Sequence, residues 1–108
     1  MPGSLASKWV PAAVERVVAE FDPVRIVLFG SQARGEERWD SDFDFLVVLP
    51  GSPDRRKTAI DIRRALRDLP IAKDVLVVSE RELNAGPAMP GTALSEARTE
   101  GLAVYERR

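Results

Sequence analysis

The sequence has neither cysteine nor histidine among its 108 residues. Without cysteine the chain has no disulfide framework and no thiol nucleophile, and without both residue types the usual zinc sites are excluded. The absence of histidine also excludes an imidazole general base and a Ser-His-Asp triad. Any catalysis must therefore use carboxylates, lysine, arginine, hydroxyl groups or bound metal ions.

Long apolar segments and a large excess of one charge are missing as well. No apolar run approaches the roughly 18 residues that a membrane-spanning helix needs, and residues 1–4 lack the basic and apolar regions of a signal peptide. We therefore expect a cytoplasmic protein without membrane contacts. The formal net charge is −1, so nucleic acid is not an expected partner, and any nucleotide contact must be local.

The composition that remains indicates one globular domain over residues 1–108. Hydrophobic residues make up 44% and charged residues 31% of the sequence, and a chain of this length can bury enough surface to form a core. Apolar residues recur at helical spacing over residues 10–21, and Asp22-Pro23 ends that segment. The sequence therefore predicts an N-terminal amphipathic helix.

Strands and further helices follow this first helix. Short apolar runs predict four strands, over residues 24–29, 42–49, 71–78 and 102–105. A second helix begins with Ser52 as N-cap and Pro53 at its first position and ends before Pro70. Ser79 and Glu82 form the capping box of a short third helix. A last helix is predicted over residues 92–100.

These elements predict an α/β fold. The first two strands can pair as a hairpin, which makes the expected sheet a mixed one of about four strands. The helices are expected to pack on this sheet around one apolar core.

Two acidic residues at the start of the second strand, Asp42 and Asp44, point to the same face. The rest of that strand is apolar on both faces, and two carboxylates at the end of a buried strand are costly unless a cation lies between them. Carboxylate oxygens suit Mg²⁺, and Mn²⁺ as a substitute. If the third strand is the neighbour, Asp74 completes a cluster able to hold two ions and to accept a hydroxyl proton.

A second group of candidate residues directly follows the first strand. Backbone N–H groups at Gly30 and Ser31 favour a phosphate if a short helix begins there. The Ser31 hydroxyl can bond a terminal phosphate, and Arg34 can neutralise its charge. A P-loop is excluded because no Gly-Lys-Ser/Thr follows Gly30. An EF-hand loop from Asp40 is excluded because Phe45 stands where that loop needs glycine.

The glycine-serine loop and the paired acids together resemble a known signature. Gly30-Ser31-x-Ala33-Arg34-Gly35 followed by Ser41-Asp42-x-Asp44 is similar to the motif of polymerase-beta-like nucleotidyltransferases. The length of the chain resembles that of the minimal nucleotidyltransferases within this superfamily, and the resemblance extends from the first helix to residues 100–105.

This resemblance implies a Mg²⁺-dependent transfer of a nucleoside monophosphate, usually AMP from ATP, to a hydroxyl group, with release of pyrophosphate. Many minimal members resemble antitoxins encoded beside a HEPN-type toxin. They are thought to neutralise the toxin by binding it and by adding AMP to one of its tyrosines. ATP as substrate and a HEPN-type toxin as partner are therefore expectations for this chain.

The candidate residues also have structural interpretations. The acids can be surface residues at strand ends, Ser31 can cap a helical turn, and Arg34 can form a surface ion pair. Trp39 fits a loop residue that packs back on the domain better than one that stacks on a base. The basic second helix fits a solvated face better than a surface for an acidic partner.

Three functions therefore stay open from the sequence. The first is an enzyme that transfers AMP to a hydroxyl of a partner protein. The second is an antitoxin that acts by occlusion and has a non-catalytic nucleotide site. The third is an enzyme whose acceptor is RNA or a small molecule such as an aminoglycoside, against which the absence of a strongly basic surface counts.

Overall fold

The computed structural model describes residues 9–29, 43–70, 73–85, 97 and 101–107. Within these residues the chain forms three helices and four strands. In chain order they are α1 (Val10–Phe21), β1 (Arg25–Phe29), β2 (Phe43–Leu49), α2 (Arg55–Ala65), β3 (Lys73–Ser79), α3 (Glu80–Asn84) and β4 (Leu102–Glu106). The predicted helix over residues 92–100 lies outside the described residues, except for Ala97.

The four strands form one mixed sheet in the order β3-β2-β1-β4. β1 pairs antiparallel with both β2 and β4, whereas β2 and β3 run parallel. A parallel pair needs a crossover connection, which α2 provides. The expected α/β fold with a mixed sheet of about four strands is confirmed. The first two strands pair antiparallel, as the sequence allowed, and the third strand is the neighbour of the second, which the sequence had left as a condition.

Side chains of β2 alternate between two apolar clusters, because successive residues of a strand point to opposite faces of a sheet. Phe43, Phe45 and Val47 belong to the cluster beneath α1 and α2. Leu46 and Val48 belong to the cluster on the other face. All five side chains are at most 3% exposed, so β2 is buried on both faces, as its sequence predicted.

The start of α2 differs from the prediction. Asp54, not Ser52, is the N-cap, and its side chain accepts a hydrogen bond from Lys57 N at 3.1 Å. Pro53 therefore precedes the helix instead of occupying its first position. Aspartate and serine cap helices about equally well, so the sequence alone did not distinguish between the two starts.

The end of α2 also differs from the prediction, because the helix stops at Ala65 and the chain continues in tight turns. Arg67 N donates to Arg64 O at 3.3 Å and Leu69 N donates to Leu66 O at 3.1 Å, which are the shorter i→i+3 bonds of a 3₁₀ conformation. Leu66 and Leu69 are only 1% and 4% exposed. The turns thus keep the apolar stripe buried beyond the last helical residue.

The helix α1 begins and ends as predicted, and α3 begins as predicted. After α1, Asp22 adopts the left-handed conformation with φ of 49°, and its N–H donates to Val18 O at 3.2 Å. The capping box at α3 is present, with Glu82 N donating to Ser79 Oγ and Ser79 N donating to Glu82 Oε1, each at 3.0 Å. None of the described helices is long and apolar enough to cross a membrane.

Candidate functional site

Asp44 of β2 and Asp74 of β3 lie directly opposite each other in the parallel pair. Neighbouring strands are about 4.8 Å apart, and residues in register point to the same face. That face is the one of Leu46 and Val48, away from α1 and α2. The structure therefore brings together two of the three acids that the sequence predicted to cooperate.

The surroundings of Asp44 are mostly apolar. Phe43 and Phe45, its chain neighbours, are 1% and 3% exposed, and Phe29, its partner on β1, is 5% exposed. Asp44 itself is half-buried. A carboxylate in such a position is stabilised by cations or hydrogen-bond donors, because loss of hydration is unfavourable for an ionised group unless such partners replace the water.

The side chain of Asp74 is 65% exposed and is held by two donors. Arg63 Nη2 donates to Asp74 Oδ1 at 2.8 Å, and Val75 N donates to the same oxygen at 2.9 Å. Arg63 Nη2 also contacts Val75 O at 3.3 Å, so this guanidinium joins α2 to the start of β3. A cation that binds Asp74 must share the carboxylate with Arg63.

The contact of Arg63 with Asp74 was not predicted from the sequence, in which the second helix has the pattern of a solvated basic face. This contact could have been predicted, because the helix that connects two parallel strands runs antiparallel to them. The last turn of α2 then has to lie near the beginning of β3, where Asp74 is. Arg63 occupies that last turn.

The chemistry of the two acids fits a hard divalent cation. Two carboxylates on one sheet face provide the oxygen ligands that Mg²⁺ and Mn²⁺ prefer, and a shared cation offsets the repulsion between them. Among the described residues no group of three acids or histidines is close enough to hold a metal ion. The predicted third ligand, Asp42, lies outside those residues.

The candidate phosphate-binding residues lie outside the described residues as well. These are Gly30, Ser31 and Arg34. The described strands nevertheless fix where the two ends of residues 30–42, which contain these three residues and Asp42, are attached. Phe29, which precedes Gly30, pairs with Asp44, and Phe43, which follows Asp42, pairs with Lys73.

Lys73 directly precedes Asp74 in the sequence, but its side chain lies on the opposite face of β3. Its Nζ donates to Leu69 O at 3.0 Å. Burial lowers the pKa of Lys73 below its ordinary value, and the charge of Asp68 partly opposes that effect. Lys73 thus fastens the turn after α2 to the start of β3, and it does so on the side away from Asp44 and Asp74.

Three comparisons connect this arrangement with known proteins. Residues 11–102 match the family model of the nucleotidyltransferase domain. The fold is similar to the crystal structure of a Sulfolobus solfataricus protein provisionally named a nucleotidyltransferase, with a TM-score of 0.65 and 23% identity over 97% of this chain and 90% of that chain. No curated protein matches the chain.

A second solved structure with a similar fold is that of a toxin-antitoxin with AMP-PNP. Its TM-score is 0.56, with 23% identity over 92% of this chain and 75% of that chain. At this level of identity the two structures show that the fold is shared.

Proposed function

Because the chain belongs to the nucleotidyltransferase domain family, we propose that its 108 residues act as one metal-dependent nucleotidyltransferase domain that modifies a partner protein. The proposed reaction moves AMP from ATP to a hydroxyl group, most specifically a tyrosine of a HEPN-type toxin. The protein would then be a cytoplasmic antitoxin. The similarity to a toxin-antitoxin with AMP-PNP supports both the nucleotide and the class of partner.

The observation that carries the proposal is the alignment of Asp44 with Asp74 on adjacent parallel strands. Asp44 and Asp74 are far apart in the sequence, because the rest of β2 and the whole of α2 lie between them. Like charges that lie opposite each other on one sheet face repel, and a shared cation would offset that repulsion.

The residues of the proposed site have distinct roles. Asp42, Asp44 and Asp74 would hold two Mg²⁺ ions, or Mn²⁺ in their place, which when bound neutralise phosphate charge and orient the reacting groups. Gly30 and Ser31 would bind the terminal phosphates. Gly30 directly follows Phe29, which pairs with Asp44, and this supports their assignment to the same site as Asp44. Arg34 would neutralise phosphate charge.

The proposed step is a displacement at phosphorus. The acceptor hydroxyl oxygen forms a bond to the α-phosphorus of ATP, and the bond from that phosphorus to the pyrophosphate oxygen breaks. The hydroxyl proton passes to a carboxylate oxygen of Asp74, since the chain has no histidine to accept it.

The test uses purified chain, Mg²⁺ and α-labelled ATP, with and without the candidate toxin. We expect label on a toxin tyrosine with wild type and none with Asp44→Asn, whose fold is checked by circular dichroism. Glu20→Gln, an exposed acid on α1, is the matched control and should transfer at the wild-type rate. Label on RNA or on a small molecule instead would identify the other acceptor class, and equal transfer by Asp44→Asn would rule the assigned site out.

The ion pair between Arg63 and Asp74 favours one second candidate, an antitoxin that acts by occlusion. A carboxylate that is hydrogen-bonded to a guanidinium is a less effective metal ligand or base. Occlusion of a partner requires neither of these roles from Asp74. This function predicts stoichiometric neutralisation of the toxin without ATP. Neutralisation by Asp44→Asn at the wild-type ratio would support it, whereas a strict requirement for ATP would exclude it.

A further inference from the structure

A groove of about 550 Å³ lies between α2 and the outer side of β3, and we call it the α2–β3 groove. Arg55, Arg56, Ile60 and Arg63 of α2 form one wall, and residues 75–77 of β3 form the other. Ile60 is 43% exposed and adds apolar surface beside these arginines. Neither Asp44 nor Asp74 is among the residues that line the groove.

The wall that β3 contributes is the edge of the sheet. In the part of the chain that the structure describes, β3 is the end strand and pairs with β2. The backbone N–H and C=O of Val75 point away from β2. The N–H donates to Asp74 Oδ1, and the C=O accepts from Arg63 Nη2. Ser79 N is bound by Glu82. Val77 lies midway between Val75 and Ser79. Its backbone N–H and C=O point away from β2, as those of Val75 do, and can pair with an added strand.

Positive charge surrounds the groove. Residues 55–67 contain six basic side chains and one acid, although the net charge of the chain is −1. Arg55 pairs with Glu82 at 2.6 Å at one end of the groove, and Arg63 pairs with Asp74 at 2.8 Å at the other. These contacts show that α2 runs antiparallel to β3, with Arg56 and Ile60 between the two paired arginines. The local charge complements an acidic partner.

The spacing along α2 is close to that of an extended chain at the first step and shorter at the second, where the long side chain of Arg63 can make up the difference. Arg56, Ile60 and Arg63 are at i, i+4 and i+7, on one face of the helix. At a rise of 1.5 Å per residue they are about 6 Å and 4.5 Å apart along the axis. Alternate residues of a strand are roughly 6.6 Å apart. Three alternate side chains of an extended segment can therefore meet these three positions in turn.

We propose that the α2–β3 groove binds an extended acidic segment of a partner protein, in which an acidic, an apolar and a second acidic side chain alternate with outward-facing residues. The acidic side chains bind Arg56 and Arg63, the apolar one packs on Ile60, and the segment's backbone pairs with Val77. An RNA strand fits less well, because Ile60 and the valines of β3 offer it no polar side-chain contact.

The binding surface uses none of the residues assigned to nucleotide or metal, apart from the contact of Arg63 with Asp74. Binding can therefore be measured without ATP or Mg²⁺. A failure of this proposal leaves the proposed transfer reaction untouched, and a failure of transfer leaves the groove untouched.

The experiment measures fluorescence anisotropy of a labelled peptide with the core Glu-Thr-Val-Thr-Glu, flanked by glycine and blocked at both ends, against the intact chain at low salt. We expect saturable binding that weakens at least tenfold with Arg56→Glu, a change on the order of 1.4 kcal/mol or more for reversal of a close charge. The matched control is Arg67→Glu, an exposed charge reversal beyond the end of α2, which should weaken binding less than threefold by the same electrostatic reasoning.

Two further peptides separate the contributions of charge and backbone. The Gln-Thr-Val-Thr-Gln peptide should lose most of the binding, and replacement of a central Thr by Pro should lose it as well, because proline removes a backbone donor. Equal binding of the glutamine peptide, or equal losses with Arg56→Glu and Arg67→Glu, would overturn the proposal.

Two other occupants are distinguished in the same series. Tighter binding of a uridine decamer that displaces the peptide would assign the groove to RNA and overturn the proposal. Sedimentation of the chain alone as a dimer, converted to monomer by Arg56→Glu, would assign the groove to a second copy and overturn it too. Circular dichroism of each variant confirms that the fold is retained.

Discussion

Arg63 donates a hydrogen bond of 2.8 Å to Asp74, the acid that lies opposite Asp44 in the parallel strand pair. One side chain from α2 thus reaches the candidate metal site from outside the sheet. The contact is exposed on both sides, with 48% and 65% of the two side chains accessible. Exposed pairs of this kind stabilise a fold by less than about 1 kcal/mol, so its main effect should be on the site.

The first prediction concerns this pair. Arg63→Ala should lower the Mg²⁺ concentration needed for half-maximal nucleotidyl transfer several-fold, because the guanidinium no longer competes for the carboxylate of Asp74, as expected when an opposite charge is removed from a ligand. Urea denaturation should show a loss of stability below about 1 kcal/mol. Arg64→Ala, a change at the exposed neighbouring residue, is the control. The same half-maximal Mg²⁺ concentration in both variants would contradict the prediction.

The second prediction concerns the repulsion between the two facing acids. In EDTA, Asp44→Asn should raise the melting temperature slightly, because like charges directly across a strand pair cost about 0.2–1 kcal/mol. Mg²⁺ should raise the melting temperature of wild type, since a ligand that binds only the folded state stabilises it, and should have little effect on Asp44→Asn. Scanning fluorimetry with Glu20→Gln alongside tests this, and an identical Mg²⁺ response in all three proteins would exclude a cation site at Asp44.

The third prediction concerns two glycines with different constraints. A Cβ atom at Gly101 would collide with Ala97 O and Val27 Cγ1, whereas one at Gly51 would meet no atom within 4 Å. Gly101→Ala should therefore reduce the free energy of unfolding by about 2–3 kcal/mol through overpacking. Gly51→Ala should cost about 1 kcal/mol, because φ of 74° is strained for alanine. Urea denaturation of both variants measures the difference, and an equal loss would contradict the packing argument.

The fourth prediction concerns stability at low pH. The hydrogen bond from Ser79 N holds the pKa of Glu82 below its ordinary value, although partial burial opposes this. A lowered pKa in the folded state stabilises the fold above the unfolded pKa, and this contribution is lost as the pH falls through the folded pKa. The free energy of unfolding should therefore fall from about pH 4.3 downward, and Glu82→Gln should reduce that slope.

The control for the acid prediction is Glu80→Gln, an exposed first-turn residue of the same helix. It should leave the acid slope closer to that of wild type. The pKa of Asp68 is also lowered, by the hydrogen bond from Arg16, and contributes a slope of the same sign. A slope unchanged by Glu82→Gln would show that the capping box contributes nothing to acid sensitivity.

Local patterns predicted the elements of this fold well. The apolar stripe of residues 10–21, the two-sided apolar run of β2 and the Ser79–Glu82 capping box each act within a few residues of chain, and each is present. The cap of α2 was predicted wrongly, because Ser52 and Asp54 are both good caps. The choice between them depends on where the helix meets the sheet, which no local pattern contains.

The candidate site was predicted in part. The sequence predicted that Asp42 and Asp44 share a face and that Asp74 joins them if β3 is next to β2, and the structure supplies that adjacency. The roles of Asp42, Gly30, Ser31 and Arg34 stay predictions, because these residues lie outside the described part of the chain. The contact of Arg63 with Asp74 was not predicted, because the charge pattern of α2 alone does not show which residues of other elements lie beside it.

By itself, the sequence determined the residue types available for chemistry, the helical and strand periods, and the positions of most turns, because these depend on composition and on neighbours within one or two turns of chain. Only the tertiary structure decided that Asp44 faces Asp74, that β3 is an edge of the described sheet, and that Arg63 of α2 contacts Asp74. Those relationships depend on strand register and on the path of the α2 crossover, which are set by burial of apolar faces between segments far apart in sequence.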